Sequence, residues 1–266
     1  MRNRIFVSVT VAFAVGALAA AAPANAQTAP SLGTAQSYAV LGGSTVTNTG
    51  ASVINGDLGL SPGSSVTGFP PGTVTGGAIH AADASALSAQ NSLVTAYNFA
   101  AGQSCTQDLT GQDLGGKTLT PGVYCFSTSA QLTGTLTLNA QGNAAAVFIF
   151  KIGSTLTTAS SSSVVMINSG SQCNVFWQVS TSATLGTSTA FAGNILALTS
   201  ITANTSANVV GRALARNGAV TLDTNNITPT TCTTQVPTLP EWALLALAAS
   251  LTAAGALALR RRRRTV

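Results

Sequence analysis

Thr155-Leu156-Thr157, Ser182-Ala183-Thr184, Ser200-Ile201-Thr202 and Ala219-Val220-Thr221 share one pattern: a small or hydroxyl residue, an apolar one, then threonine. Thr45-Val46-Thr47 and Thr135-Leu136-Thr137 carry it as well. Successive side chains of a strand alternate faces, so Leu156, Ala183, Ile201 and Val220 point inward and their threonine neighbours outward. The threonines recur after 20 residues from Thr137 to Thr157, 18 from Thr184 to Thr202 and 19 from Thr202 to Thr221. The step from Thr157 to Thr184 is longer, at 27, and calls for a loop. Such intervals fit the coils of a parallel β-solenoid, whose in-register strands stack like side chains into ladders about 4.8 Å apart.

Outward residues two apart on one strand, such as Thr155 and Thr157, lie about 6.6 Å from each other. The face is therefore a two-dimensional grid of hydroxyls and methyls, with both spacings near repeats of the oxygen lattice of ice. Threonine suits such an array because its β-branched side chain has few rotamers and sets a methyl beside a hydroxyl. The candidate ice-contact residues are Thr135, Thr137, Thr155, Thr157, Ser182, Thr184, Ser200, Thr202, Asn204 and Thr221. Gly186 and Asp223 interrupt the grid.

Around the repeat the chain is rich in Thr, Ser, Gly, Asn and Ala, with short apolar clusters such as 146–152 and 174–179 that read as buried strands. One segment differs: 80–103 holds no Pro, and its only Gly, Gly102, offers a stop. It reads as a helix of about six turns, with Ala86, Leu93, Tyr97 and Ala100 on one stripe and Val94 beside it.

The two ends read as targeting sequence. Arg2 and Arg4 precede an apolar run from Ile5 to Ala22 and the small-residue site Ala24-Asn25-Ala26, which predicts a signal peptide cleaved after Ala26. At the other end Val236-Pro237-Thr238-Leu239-Pro240-Glu241-Trp242 precedes an apolar stretch, Ala243 to Leu259, and five arginines, Arg260 to Arg264. That stretch can span a bilayer with the arginines on the cytoplasmic side. Motif, helix and basic tail resemble the C-terminal sorting signals read by exosortase-type enzymes in Gram-negative bacteria, close to I-P-T-L-x-E-W with Val236 in place of isoleucine. The expected organisation is a signal peptide over 1–26, one solenoid domain over 27–235 and a sorting signal over 236–266.

The formal net charge of +5 comes from these ends. Between Gln27 and Gln235 there remain Lys117, Lys151, Arg212 and Arg216 against Asp57, Asp83, Asp108, Asp113 and Asp223, a charge of minus one. This near-neutral domain lacks the basic face that nucleic-acid binding needs. Cys105, Cys125, Cys173 and Cys232 all fall in the exported part, where an even count favours two disulfides. Of three connectivities, Cys105–Cys125 and Cys173–Cys232 are preferred, since they close the segment after the helix and pin the end of the fold. They are worth about 3 and 4 kcal/mol on the chain-entropy model. No pair has C-x-x-C spacing, and only His80 could join a zinc site, so none is expected.

Tyr38-Ala39-Val40-Leu41-Gly42-Gly43, Asn55-Gly56-Asp57-Leu58-Gly59, Gly68-Phe69-Pro70-Pro71-Gly72, Leu119-Thr120-Pro121-Gly122-Val123-Tyr124, Gly193-Asn194-Ile195-Leu196-Ala197 and the run from Gly211 to Val220 together resemble the microbial ice-binding protein family. The resemblance covers about 37–228. It implies a mainly β fold, an irregular right-handed solenoid of triangular section with one long helix alongside, and adsorption to ice through a flat face that stops crystal growth and recrystallisation. A T-A/G-x-T/N motif accompanies that face in some members; Thr202-Ala203-Asn204-Thr205 matches it, and Thr184-Leu185-Gly186-Thr187 matches its end residues.

Two other classes compete. Some β-helices cleave polysaccharides, and Asp223 with Arg212 and Arg216, or His80 with Asp83, would be the candidate groups. A lone histidine opening a helix is more often a capping residue, and no phosphate loop or nucleophile elbow occurs, so no enzyme and no cofactor is expected. A cell-surface or matrix protein without ice activity is the second. The expected partners are an ice surface, a sorting protease and, before processing, a membrane through the C-terminal helix; the domain is expected to be a monomer.

Overall fold

The computed structural model describes residues 27–230. Short alternating runs make short strands, and each coil of the chain sets three of them on three faces. All pairings between coils are parallel, as an in-register stack requires. The first face, here the threonine face, is a seven-stranded sheet in the order Ala130–Leu132, Leu156–Thr158, Ala183–Leu185, Ile201–Ala203, Val220–Asp223, Thr45–Thr49 and Ser65–Thr67. The second, the polar face, runs through Thr118–Leu119, Thr135–Asn139, Ser163–Ile167, Asn226–Thr228, Val53–Asn55 and Thr73–Thr75. The third, the helix face, includes Gly122–Phe126, Phe148–Ile152, Val175–Val179, Tyr38–Gly42 and Asp57–Leu60.

Ala190–Ala197 and Asn208–Ala215 each continue from the polar face into the helix face without a break. The corner is made at Gly193 and Gly211, with φ of 112° and 149°. A Cβ on Gly211 would lie 2.0 Å from the Gly193 carbonyl oxygen, so only glycine lets the two coils stack there.

Stacking order departs from chain order. Residues 38–75 build two coils at one end, the helix then runs back along the solenoid, and the chain resumes at the far end and climbs until Asn208–Ala215 meets Tyr38–Gly42. The helix, Ala84–Ala101, is this return path. Its 18 residues rise about 27 Å, the height of five or six coils at about 4.8 Å each. It starts at Ala84 rather than at the expected residue 80, because Ile79–Ala81 is taken into a strand beside Leu58–Leu60 and Asp83 supplies the N-cap. Ala86, Ala89, Leu93, Ala96, Tyr97 and Ala100 are buried, and most pack on Leu41, Val123, Ile149, Phe176, Leu196 and Leu214. Gln90 Nε2 donates to the carbonyls of Gly42 and Ala215 at 2.8 and 3.0 Å, and the Arg216 guanidinium sits 4.7 Å over the Tyr97 ring.

Inward columns form the main core. Tyr124, Phe150 and Trp177 occupy one register position on successive coils, and the Phe150 and Trp177 rings stack at 3.9 Å. Phe69 and Val66 close one end of the core, Leu109, Leu114 and Leu119 the other. Cys105 and Cys125 are disulfide-bonded, as expected, over a separation of 20 residues. Cys173 is disulfide-bonded too, and its expected partner Cys232 lies outside the described residues, as do the signal peptide and sorting signal.

Arg212 is the one charged side chain buried among the described residues. Among the described residues it meets no carboxylate. Its Nε and Nη2 donate to the Gln36 carbonyl at 2.9 and 2.7 Å, Nη1 donates to Asn194 Oδ1 at 2.9 Å, and Nη2 also reaches the Thr230 carbonyl at 3.4 Å. Burial pulls its pKa down to about 10. Arg212 therefore ties the turn ahead of the first strand and the segment after the last one to the solenoid wall. Arg212→Ala, which strands these acceptors, should cost about 3 kcal/mol in urea unfolding, and Arg212→Lys should recover less than half, since an ammonium cannot fork.

Candidate functional site: a threonine ladder on one solenoid face

The ladder is built by pairing register. Leu156, Ala183, Ile201, Val220 and Val46 point inward and are buried, which turns the next residue of each strand outward. Thr157 pairs with Thr184, Thr184 with Thr202, Thr202 with Thr221, Thr221 with Thr47 and Thr47 with Thr67. Six threonines thus stand in one column, at intervals of about 4.8 Å. At one end Gln131 continues the register from Thr157, followed by Asp113 through an isolated bridge.

Two residues earlier on these strands lies a second column with Ser129, Thr155, Ser182, Ser200, Ala219, Thr45 and Ser65. Thr155 Oγ1 donates to Ser129 Oγ at 2.8 Å, and Thr45 pairs with Ser65. On the other side the row is broken, with Ala159, Gly186, Asn204, Asp223 and Thr49. Asp223 here and Asp113 past the end of the central column are the charges in the three columns, and Thr205 and Thr224 both donate to Asp223.

In the central column Thr47 Oγ1 donates to Thr221 Oγ1 at 3.4 Å. Among the described residues, the hydroxyls of Thr67, Thr157, Thr184 and Thr202 have no protein partner, and all four side chains reach solvent. These groups are free for water.

Eight of the ten candidate residues, Thr155, Thr157, Ser182, Thr184, Ser200, Thr202, Asn204 and Thr221, come together on this face. Thr135 and Thr137 do not. They belong to the polar face, where Thr135 pairs with Ser163 and Thr137 with Val165 and Thr118. In that coil the threonine-face strand is Ala130-Gln131-Leu132, and Gly134, at φ 84°, turns the chain to the next side. An outward–inward–outward triplet looks the same on any solvated face, which is why spacing alone misassigned it. Thr45 and Thr47 carry the triplet and belong on the face beside the last coil. Ser65-Val66-Thr67 carries it as well and extends the face by one strand.

The polar face has the same repeat and different chemistry. Its polar groups bond to each other: Thr135 with Ser163 at 2.9 Å, and Asn55 Nδ2 to Thr228 Oγ1 at 2.8 Å. Its middle is apolar, with Val165 and Val210 exposed.

Of the competing catalytic groups, Asp223, Arg212 and Arg216 are each engaged with other partners, while His80 and Asp83 do meet. Arg212 serves the Gln36 and Thr230 carbonyls, Arg216 lies on Tyr97, and Asp223 faces the ladder rim. His80 Nδ1 and Asp83 Oδ2 are 2.7 Å apart, with Asp57 at 3.9 Å, at the solenoid end where Asp83 caps the helix. Among the described residues no group of three or more His, Cys, Asp and Glu side chains is placed to hold a metal ion, and no helix is long and apolar enough to cross a membrane.

Fold and face define a helix-flanked parallel β-solenoid that displays a regular hydroxyl and methyl surface. The model of the family described as Ice-binding-like matches residues 40–228, and the chain belongs to that family. The IPTL-CTERM motif matches residues 234–264. An ice-binding protein of Nostoc sp. (strain HG1) is 60% identical over 205 residues, 77% of this chain and 76% of its own length. Among solved structures, an ice-binding protein from an Antarctic biological consortium superposes with a TM-score of 0.75 at 46% identity, over 77% of this chain and 93% of that one. One from the Antarctic ascomycete Antarctomyces psychrotrophicus gives 0.74 at 40% identity, over 77% and 100%. The sorting motif and the family support an extracellular or cell-surface location.

The Ala86 N–H, at 2.8 Å, and then the His80 hydrogen bond hold the Asp83 carboxyl below its ordinary pKa of 3.8. A lowered carboxyl pKa contributes stability above the ordinary value and loses it as pH falls through the folded one. The urea midpoint should therefore drop on acidification from about pH 5 to about pH 2, and drop by less in Asp83→Ala.

Proposed function

We propose that the protein adsorbs to ice through the threonine face and so inhibits crystal growth and recrystallisation. The observation that carries this reading is the unbroken column of six threonines in one register, with the Thr67, Thr157, Thr184 and Thr202 hydroxyls unengaged by protein. Water held on a stiff grid of about 4.8 by 6.6 Å is partly ordered before it meets the crystal. The methyls, set between hydroxyls, leave that water no competing bonds. Growth then bulges between adsorbed molecules, and the curved front is harder to extend.

The contact set is Thr47, Thr67, Thr155, Thr157, Ser182, Thr184, Ser200, Thr202, Asn204 and Thr221, acting without catalysis, as a monomer. The sequence of 1–26 supports export by a signal peptide, and the motif at 236–242 supports processing by an exosortase-type enzyme of a Gram-negative bacterium.

A seed crystal grown in the purified protein should become faceted and stop growing within a range of undercooling. Thr184→Tyr and Thr202→Tyr should each remove most of that effect while the melting temperature holds, because surface changes of this kind stay within about 0.5 kcal/mol. Thr137→Tyr, on the polar face, should leave it intact. Ordinary disc-shaped growth in the unmodified protein would refute the proposal.

Gln131→Thr tests the same column in the opposite direction. It carries the threonines one coil further and should widen the range of undercooling over which the seed stays arrested. A narrower range would show that the column does not set the activity.

A further inference from the structure

One outward column of the helix face changes character along the stack. Leu41, Leu214 and Leu196 stand in register and are buried among the residues that pack with the helix. The same column continues as Gln178, Lys151, Cys125 and Asp108. The change falls where the helix stops: Ala101 is its last residue, and Lys151 Nζ donates to the Gln103 carbonyl just beyond it at 2.5 Å. An open cleft of about 450 Å³, a volume typical of small-molecule sites, lies there between the helix end and the solenoid wall.

The lining of this cleft is part apolar and part polar. Tyr97, Ala101 and the Cys105–Cys125 disulfide supply the apolar part, Lys151, Gln178 and Ser180 the polar part. Gln178 is only 4% exposed, and its Nε2 donates to Ser180 Oγ at 3.2 Å. Its Oε1 accepts from no protein group among the described residues, which costs free energy unless something in the cleft supplies a proton. Lys151, its register partner on the adjoining coil about 4.8 Å away, uses one of three N–H groups on Gln103. Asp108 also lines the cleft, but its Oδ1 already accepts from the Thr110 N–H and hydroxyl at 2.8 and 2.6 Å.

An open acceptor therefore stands beside an open donor, next to an aromatic ring and a disulfide. Neighbouring hydroxyls of a sugar ring answer that pairing: one donates to Gln178 Oε1, the next accepts from Lys151 Nζ, and ring C–H groups lie on the apolar part. A carboxylate or phosphate would suit Lys151 and set another acceptor against Gln178 Oε1. An amine would suit Gln178 and face the ammonium.

We infer that this cleft binds a neutral saccharide through two adjacent hydroxyls of one ring. Because the cleft is open, a free sugar and a unit within a polymer offer it the same chemistry. Ser127, Gly153 and Ser180 of the cleft lie two residues ahead of Ser129, Thr155 and Ser182 in the second column of the ladder. The site is thus around the corner from the threonine face, and it stands whether or not that face binds ice.

The test follows the amide NMR signals of the isotope-labelled purified protein during titration with methyl glucopyranoside, methyl galactopyranoside and methyl mannopyranoside. Dextran and mannan form the polymer arm, and sodium acetate the anion control. At least one sugar should shift the signals of Lys151 and Gln178 saturably, with a dissociation constant of about 1–10 mM for a single ring held by a few hydrogen bonds. Gln178→Leu and Lys151→Met should each weaken that binding about tenfold and leave the shaping of a seed ice crystal as it is in the unmodified protein. Should Gln178→Leu fail to fold, Lys151→Met, at a half-buried position, carries the comparison. A response to the glycosides assigns the site to free sugars, and a response to a polymer alone assigns it to chains. The absence of any saturable shift up to about 100 mM in both arms overturns the inference. So does binding that neither variant weakens, or a response to acetate stronger than to every sugar.

Discussion

The parallel hydrogen bonding of each coil to the next, residue against residue without slippage along the threonine face, is the constraint on which everything else rests. It converts a loose sequence pattern into columns. Inward it lines up Tyr124, Phe150 and Trp177 as stacked rings; outward it lines up six threonines. A slip of one residue on any strand would exchange the two sets and put threonine into the core. Register is therefore held by burial of the apolar column, and among the described residues the central threonine column inherits its regularity with one direct bond within it, Thr47 to Thr221.

That inheritance separates the two solvated faces. On the polar face the side chains satisfy one another, Thr135 with Ser163 and Asn55 with Thr228, and the centre is left to Val165 and Val210. On the threonine face the backbone fixes the spacing of the central column, and the hydroxyls of Thr67, Thr157, Thr184 and Thr202 are left without a protein partner among the described residues. A stiff array with open hydrogen-bonding capacity can organise water; an array closed on itself cannot to the same degree.

The solenoid was legible in the sequence because Leu156, Ala183, Ile201 and Val220 advertise their inward direction through their neighbours. So were the helix stripe of Ala86, Leu93, Tyr97 and Ala100, and the Cys105–Cys125 bond. Three features were hidden, each for a physical reason. Thr135 and Thr137 show the same alternation as the ladder, and alternation reports exposure without saying which side of a coil is exposed. Thr47 and Thr67 belong beside Thr221, but that neighbourhood is set by the helix carrying the chain back along the stack, a contact across more than 170 residues that no local pattern encodes. The helix begins at Ala84 because His80 is drawn into an edge strand by Leu58–Leu60, again a tertiary choice. Arg212, considered from sequence as a catalytic group, clamps the segments before the first strand and after the last one, through the Gln36 and Thr230 carbonyls and Asn194 Oδ1.

The central claim, that a column spaced by the β-stack matches ice, is tested most directly by which crystal planes the protein selects. A single ice crystal grown in the fluorescently labelled protein, with the label on the helix side, should stain only on planes whose oxygen repeats lie near 4.8 and 6.6 Å. An unstained crystal, or one stained evenly over every plane, would contradict the account.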